Sequence, residues 1–198
     1  DIAKAVCVVA FTNGTTFSSY IHATDNTGYF IVENPQPGEL APKLITPDYS
    51  GANSGTAAKD QSGQGLGVLG YQQGTVMRSP GNIRYRQPTY DGHFYEVLVQ
   101  WKNEPGNAII GRWTISNDKT ATMPAWNTLN RKNDQWNMHQ QWWKEFWSKS
   151  SVTLPVQQLQ RQYYLELYKL GCVSRKGAPA ITLQAVWTAD NGSLPPWK

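Results

Sequence analysis

From Tyr95 to Trp101 apolar and polar residues alternate, so Tyr95, Val97, Val99 and Trp101 share one face at period two. Residues 103–107 (NEPGN) have the composition of a turn. Residues 109–115 then alternate again, with Ile109, Trp113 and Ile115 on one side, which predicts a hairpin. Upstream, residues 6–11 (VCVVAF) form an apolar run of strand length that ends at Asn13-Gly14. Residues 18–23 and 29–33 are two further strand candidates, separated by the turn residues Asp25-Asn26-Thr27-Gly28 at the spacing of a meander. Residues 1–120 therefore predict an antiparallel β-sandwich, or part of one.

Residues 34–74 break this pattern. They are rich in Pro, Gly, Ser and Gln, with apolar anchors only at 44–45 and 66–69, and they predict a long surface loop. The stretch GQGLGVLG within it has the glycines of a phosphate-binding loop. It lacks the Lys-Ser/Thr and the following amphipathic helix, and reads as an irregular glycine-rich loop.

After Met123-Pro124 the period changes to that of a helix. Asn133 or Asp134 can cap a helix in which Trp136, His139, Trp143, Phe146 and Trp147 form a wide aromatic stripe, so packing on more than one side is expected. His139 lies within the stripe and reads as a satisfied buried imidazole rather than a catalytic one. Residues 150–154 are a break, and Pro155 is placed to open a second helix. That helix sets Val156, Leu159, Tyr163, Leu167 and Leu170 on one face, and Arg175-Lys176-Gly177 suits its C-terminus. A third, short helical segment is expected over 181–187, ending at the turn Asp190-Asn191-Gly192. The fold class is thus β then α, with the change near residue 124.

Composition adds two things. Hydrophobic residues at 39% and charged residues at 16% describe a globular chain. The net charge of +4 is uneven: residues 1–125 carry nine Lys/Arg against ten Asp/Glu, and residues 126–198 carry nine against four. Those cations read as solvated helix faces, too sparse for a nucleic-acid stripe. Seven of the nine tryptophans fall in the last 73 residues, where they serve either as core or as stacking surface for apolar ring faces, those of sugars included. Cys7 and Cys172 are too few for a disulfide framework and are expected to be buried free thiols. There is no membrane-length apolar run and no signal peptide, and the opening Asp1-Ile2-Ala3-Lys4 reads as a processed or internal start.

Candidate chemistry is thin. No His-Glu-x-x-His, no Gly-x-Ser-x-Gly and no paired cysteines are present, which removes zinc and serine-hydrolase readings; no metal or cofactor is expected. The helical part holds four acids. Asp134 has a capping role available, Glu145 lies on a solvated face, Glu166 can pair with Lys169 at i+3, and Asp190 belongs to a turn. No catalytic residue is assigned, because no carboxylate pair stands out. The candidate substrate-binding residues are Gln184, Trp187 and Trp197. The two indoles could form a sugar-stacking wall with the amide bonding to hydroxyls, or they could be core aromatics at a helix end and a proline turn.

The aromatic runs also carry a resemblance. Trp142, Trp143, Phe146 and Trp147 match a W-W-x-x-F-W helix, and Tyr163, Tyr164, Tyr168 and Leu170 match a Y-Y-x-x-x-Y-x-L helix. Pro179, Leu183, Gln184, Trp187 and then Pro195-Pro196-Trp197 continue the match. Over about residues 136–198 the chain resembles bacterial family 95 α-L-fucosidases and their glycoside hydrolase relatives; Ala185 departs from the glycine typical there. The resemblance implies a β-sandwich domain (1–124, with the loop 34–74), a tryptophan-rich linker helix (125–150) and the beginning of an (α/α)6 barrel (151–198). It implies the N-terminal portion of an inverting, α-L-fucosidase-like enzyme whose catalytic carboxylates are not in this chain. The partners would be an oligo- or polysaccharide and the remainder of the same polypeptide, with no nucleic acid and no membrane, in the periplasm or outside the cell. A non-catalytic carbohydrate-binding module is the alternative.

Overall fold

In the computed structural model, the residues described are 1–36, 42–47, 70–124, 126, 129–178 and 180–181. They form a seven-stranded antiparallel sheet followed by two helices. The strands are β1 (Cys7–Ala10), β2 (Thr16–Ile21), β3 (Gly28–Glu33), β4 (Thr75–Ser79), β5 (Asn82–Pro88), β6 (Phe94–Glu104) and β7 (Ala108–Asn117). Their order across the sheet is β1-β2-β3-β7-β6-β5-β4. Two meanders therefore meet where β3 pairs with β7, with Ile31 opposite Ile110 and Gly28 opposite Trp113. The helices are α1 (Leu129–Ser148) and α2 (Gln157–Val173). The expected order of β then α holds.

The predicted hairpin is β6–β7. Its turn closes through Gly106 and Asn107, both at positive φ, where glycine and asparagine are the residues least strained. The register puts Tyr85, Val97 and Ile115 side by side on one face, and Arg84, Leu98 and Thr114 on the other. Both faces are buried at the centre. Ile83, Tyr85, Gln87 and Ile109 are buried on one face, and Glu96, Leu98, Ile110, Arg112 and Thr114 on the other. Glu96 is buried because three groups satisfy it: Arg84 at 2.6 Å, Arg86 at 3.4 Å and the Ala121 N–H at 2.9 Å. Burial alone would raise its pKa; the Ala121 N–H and the two guanidinium groups outweigh that and hold it below the usual carboxylate range.

Several expectations are corrected. Helix α1 begins at Leu129, ahead of Asn133 and Asp134, so neither caps it. The N-cap of α2 is Val156, which places Pro155 outside the helix; Gln160 Oε1 accepts the Leu154 N–H there instead. Strand β4 had no sequence signature, because four of its five residues are exposed and no apolar alternation marks it. Cys7 and Cys172 are both exposed. Cys7 sits on the sheet-edge strand β1, where all four residues are solvent-accessible. Of the long loop, residues 37–41 and 48–69 lie outside the described residues, as do most of GQGLGVLG and the third helical segment beyond Ile181.

The helices form an antiparallel hairpin held by aromatic contacts. Trp143 meets Tyr168 at 5.2 Å between ring centroids, and Trp147 meets Tyr164 at 5.9 Å. The Tyr164 hydroxyl is also within 3.0 Å of both the N–H and the carbonyl of Val152, which fixes the connector to α2. The hairpin attaches to the sheet at its β1–β3 end. Tyr20 packs against Trp136 at 4.9 Å and against His139 at 4.6 Å.

Candidate functional site

The turn between β2 and β3 is organised by a buried histidine. His22 Nδ1 accepts the N–H groups of Thr24 (3.3 Å) and Asp25 (3.0 Å), so the lone pair is on Nδ1 and Nε2 donates to the Gln135 carbonyl at 3.1 Å. One imidazole thus shapes the turn and ties it to α1. A second tie comes from Arg175, just past the end of α2. Its Nε donates to the Gly171 carbonyl at 2.6 Å and its Nη1 donates to the Ala23 carbonyl. Its guanidinium plane lies 3.8 Å from the centroid of Trp142.

Between these two ties lies a cleft of about 1030 Å³. Its sheet side includes Cys7, Ser19, Ile21 and Trp113, and its helix side includes Trp142, Trp143, Tyr168, Cys172 and Arg175; Asp25 and Asn26 supply polar groups at the turn. Trp113 is seated on the sheet by Gly28, where a β-carbon would fall 2.2 Å from the indole Cε2. Gly28 is thus needed for this packing, its backbone being that of an ordinary strand residue. Tyr168 is pushed up to about 12, chiefly by burial, so its hydroxyl stays protonated and able to donate at neutral pH. Aromatic faces beside a few fixed polar groups can hold a ring-shaped, hydroxylated ligand.

His139 is fully buried, with Nε2 donating to the Lys4 carbonyl at 2.8 Å, while Nδ1 meets no hydrogen-bond partner. Burial lowers its pKa, with the Lys4 bond opposing. It is a structural group, although only half satisfied. Glu166 accepts from Lys169 at 2.8 Å, the expected i+3 pair, and also from Gln162. Glu145 accepts from Gln141 at 2.7 Å on an exposed face. These acids and the exposed Asp134 are not gathered into one site. Gln184, Trp187 and Trp197, with Asp190, lie outside the described residues. The residues the structure does bring together (Cys7, His22, Trp113, Tyr168, Cys172 and Arg175) had no shared signal in the sequence, since no period or spacing links them.

Among the described residues, no group of three or more His, Cys, Asp or Glu side chains is arranged to hold a metal ion. No described helix is long and apolar enough to cross a membrane. Neither a protein-family model nor a curated protein matches the chain.

Proposed function

We propose that these residues are the N-terminal portion of an inverting glycoside hydrolase of α-L-fucosidase type, acting on oligo- or polysaccharides in the periplasm or outside the cell. In this reading the sheet belongs to a β-sandwich domain, α1 is the linker helix and α2 opens an (α/α)6 barrel. The acid and base carboxylates, spaced to admit a water between them, come from later polypeptide. The observation that carries the proposal is the interlocking of the two aromatic motifs. Trp143, Phe146 and Trp147 of α1 close on Tyr168, Gly171 and Tyr164 of α2, so the residues of the resemblance work as one packing unit. Val156, Leu159, Tyr163 and Leu170 of α2 remain exposed, an apolar face of the kind that further barrel helices would cover.

Assays with aryl glycosides test this. The 198-residue chain is expected to release no aryl alcohol from aryl α-L-fucosides, and the longer polypeptide that the proposal requires is expected to release it with inversion at the anomeric carbon. Turnover by the 198-residue chain, or none by the longer one, argues against the proposal.

The cleft beside Trp113 favours a second reading, an independent carbohydrate-binding module. Saturable calorimetric binding of fucosylated or plant oligosaccharides to the 198-residue chain, lost in Trp113→Ala, supports the module; absence of heat under the same conditions supports the first reading.

A further inference from the structure

Cys7 and Cys172 stand 165 positions apart and are the only cysteines in the chain. One lies on the edge strand β1 and the other in the last turn of α2, and both line the same cleft. Both are free and both are exposed. Tyr168, one helical turn before Cys172, lines the cleft together with both of them. The Arg175 guanidinium, already fixed by Gly171, Ala23 and Trp142, faces Cys172 from the same wall.

We propose that Cys7 and Cys172 are a redox pair that closes to a disulfide by exchange with a low-molecular-weight disulfide, fastening β1 to the end of α2 across the cleft. Cys7 is the entry point, because the edge strand leaves it open to solvent on a segment where every residue is accessible. Its thiolate attacks one sulfur of the small disulfide; the S–S bond breaks, a mixed disulfide forms on Cys7 and one small thiol departs. Cys172 then attacks the Cys7 sulfur of that mixed disulfide, the protein disulfide forms and a second small thiol leaves. The protein loses two hydrogens and the small disulfide gains them. Although the residue as a whole is exposed, desolvation of its sulfur pushes the Cys172 thiol up, and Tyr168 and Arg175 offset part of that shift. This makes Cys172 a slow first attacker and leaves it the role of resolving thiol on the facing wall of the cleft. The oxidised chain has its helix hairpin tied to the sheet edge, so access to the cleft follows the thiol–disulfide balance of the surroundings.

The test is incubation of the purified 198-residue chain with oxidised glutathione, followed by intact mass and non-reducing peptide mapping. The expected product is monomeric, lighter by two hydrogens, contains one Cys7–Cys172 linked peptide and reverts in dithiothreitol. Its Tm is expected to rise by roughly 10 °C, because the link closes most of the chain into one loop. Cys172→Ser is expected to stop at a glutathione adduct on Cys7, and Cys7→Ser to react much more slowly. A parent chain that stops at glutathione adducts, that forms only intermolecular dimers, or whose thiols both stay free would overturn the proposal. None of these readouts depends on sugar binding or hydrolysis.

Discussion

Phe146 and Gly171 occupy the space of a single side chain. A β-carbon placed on Gly171 would lie 2.7 Å from Phe146 Cζ and 3.0 Å from Cε2. This contact sets how closely α1 and α2 run, and Tyr168 and Tyr164, which meet Trp143 and Trp147, lie about one and two turns before Gly171 on α2. Glycine in a helix interior costs about 1 kcal/mol relative to alanine. Its presence at position 171 is explained by the ring that needs the space.

Gly171→Ala sets these two effects against each other. Alanine returns about 1 kcal/mol of helix propensity, and forcing a methyl against a packed ring costs about 1–3 kcal/mol. The expected net result is a loss of roughly 1 kcal/mol, rising to about 3 kcal/mol for Gly171→Val, where the propensity gain is smaller and the clash larger. Urea denaturation measures both. Phe146→Leu in the Gly171→Ala background should recover part of the loss, because the two sites are in contact. A Gly171→Ala chain more stable than its parent would show that the helices do not pack here.

Glu96 makes the centre of the sheet sensitive to acid. Its pKa is lowered in the folded chain, so its contribution to stability is complete above the unfolded value of about 4.3 and is lost as the pH falls through the folded value. Glu96→Gln is expected to cost about 3 kcal/mol at pH 7, the lower end for a broken buried pair because Arg84 and Arg86 still reach water. The variant should also lose that part of the acid-induced decline. Denaturation at several pH values separates the two effects; a variant whose profile below pH 5 runs parallel to that of the parent would remove Glu96 as the cause.

What the sequence revealed follows from how far apart the interacting residues are. The β6–β7 hairpin was legible because its alternation and its NEPGN turn are contiguous. The helix pair was legible because its stripe repeats at helical spacing over two adjoining segments. The pairing of β3 with β7 spans 74 intervening residues (34–107) and leaves no local trace. Cys7 looks buried in VCVVAF and becomes exposed only because β1 lies at the sheet edge. Arg175 reads as a helix-end cation, yet its position is decided by Trp142 and the Ala23 carbonyl. The cleft is assembled from such long-range meetings, which is why its residues did not announce themselves.

Gly28→Ala should disturb the cleft while leaving the sheet paired. The added methyl would fall within 2.6 Å of three atoms of the Trp113 indole, and the ring must swing away because the β3 backbone is held by both neighbours. Overpacking of this kind costs about 1–3 kcal/mol. The expected signature is a shift in tryptophan fluorescence and near-UV circular dichroism with unchanged far-UV signal. If both aromatic signals stay those of the parent, the indole is not seated as described.

His139 supplies a second pH dependence at higher pH than Glu96. Its Nε2 faces the Lys4 carbonyl, which can only accept, so the proton is on Nε2. Charging the ring would place a second proton on Nδ1, which has no acceptor, in a site that also feels His22 and Arg175. Burial is the largest cause of the lowered pKa. With the folded pKa below the unfolded value of about 6.5, the unfolded chain binds more protons in the interval, so stability is complete above that value and declines as the pH falls toward the folded one. The decline approaches about 1.4 kcal/mol per pH unit within the interval. His139→Gln keeps a donor for Lys4 and removes the titration. Its stability is expected to be flatter between pH 7 and the onset of the Glu96 effect, at the cost of a lower value at pH 7 from the lost ring contacts with Tyr20 and Trp136. An NMR titration of the His139 ring protons in the folded parent should show a midpoint below 6.5, and a ring half-protonated at pH 6.5 or above would refute the assignment.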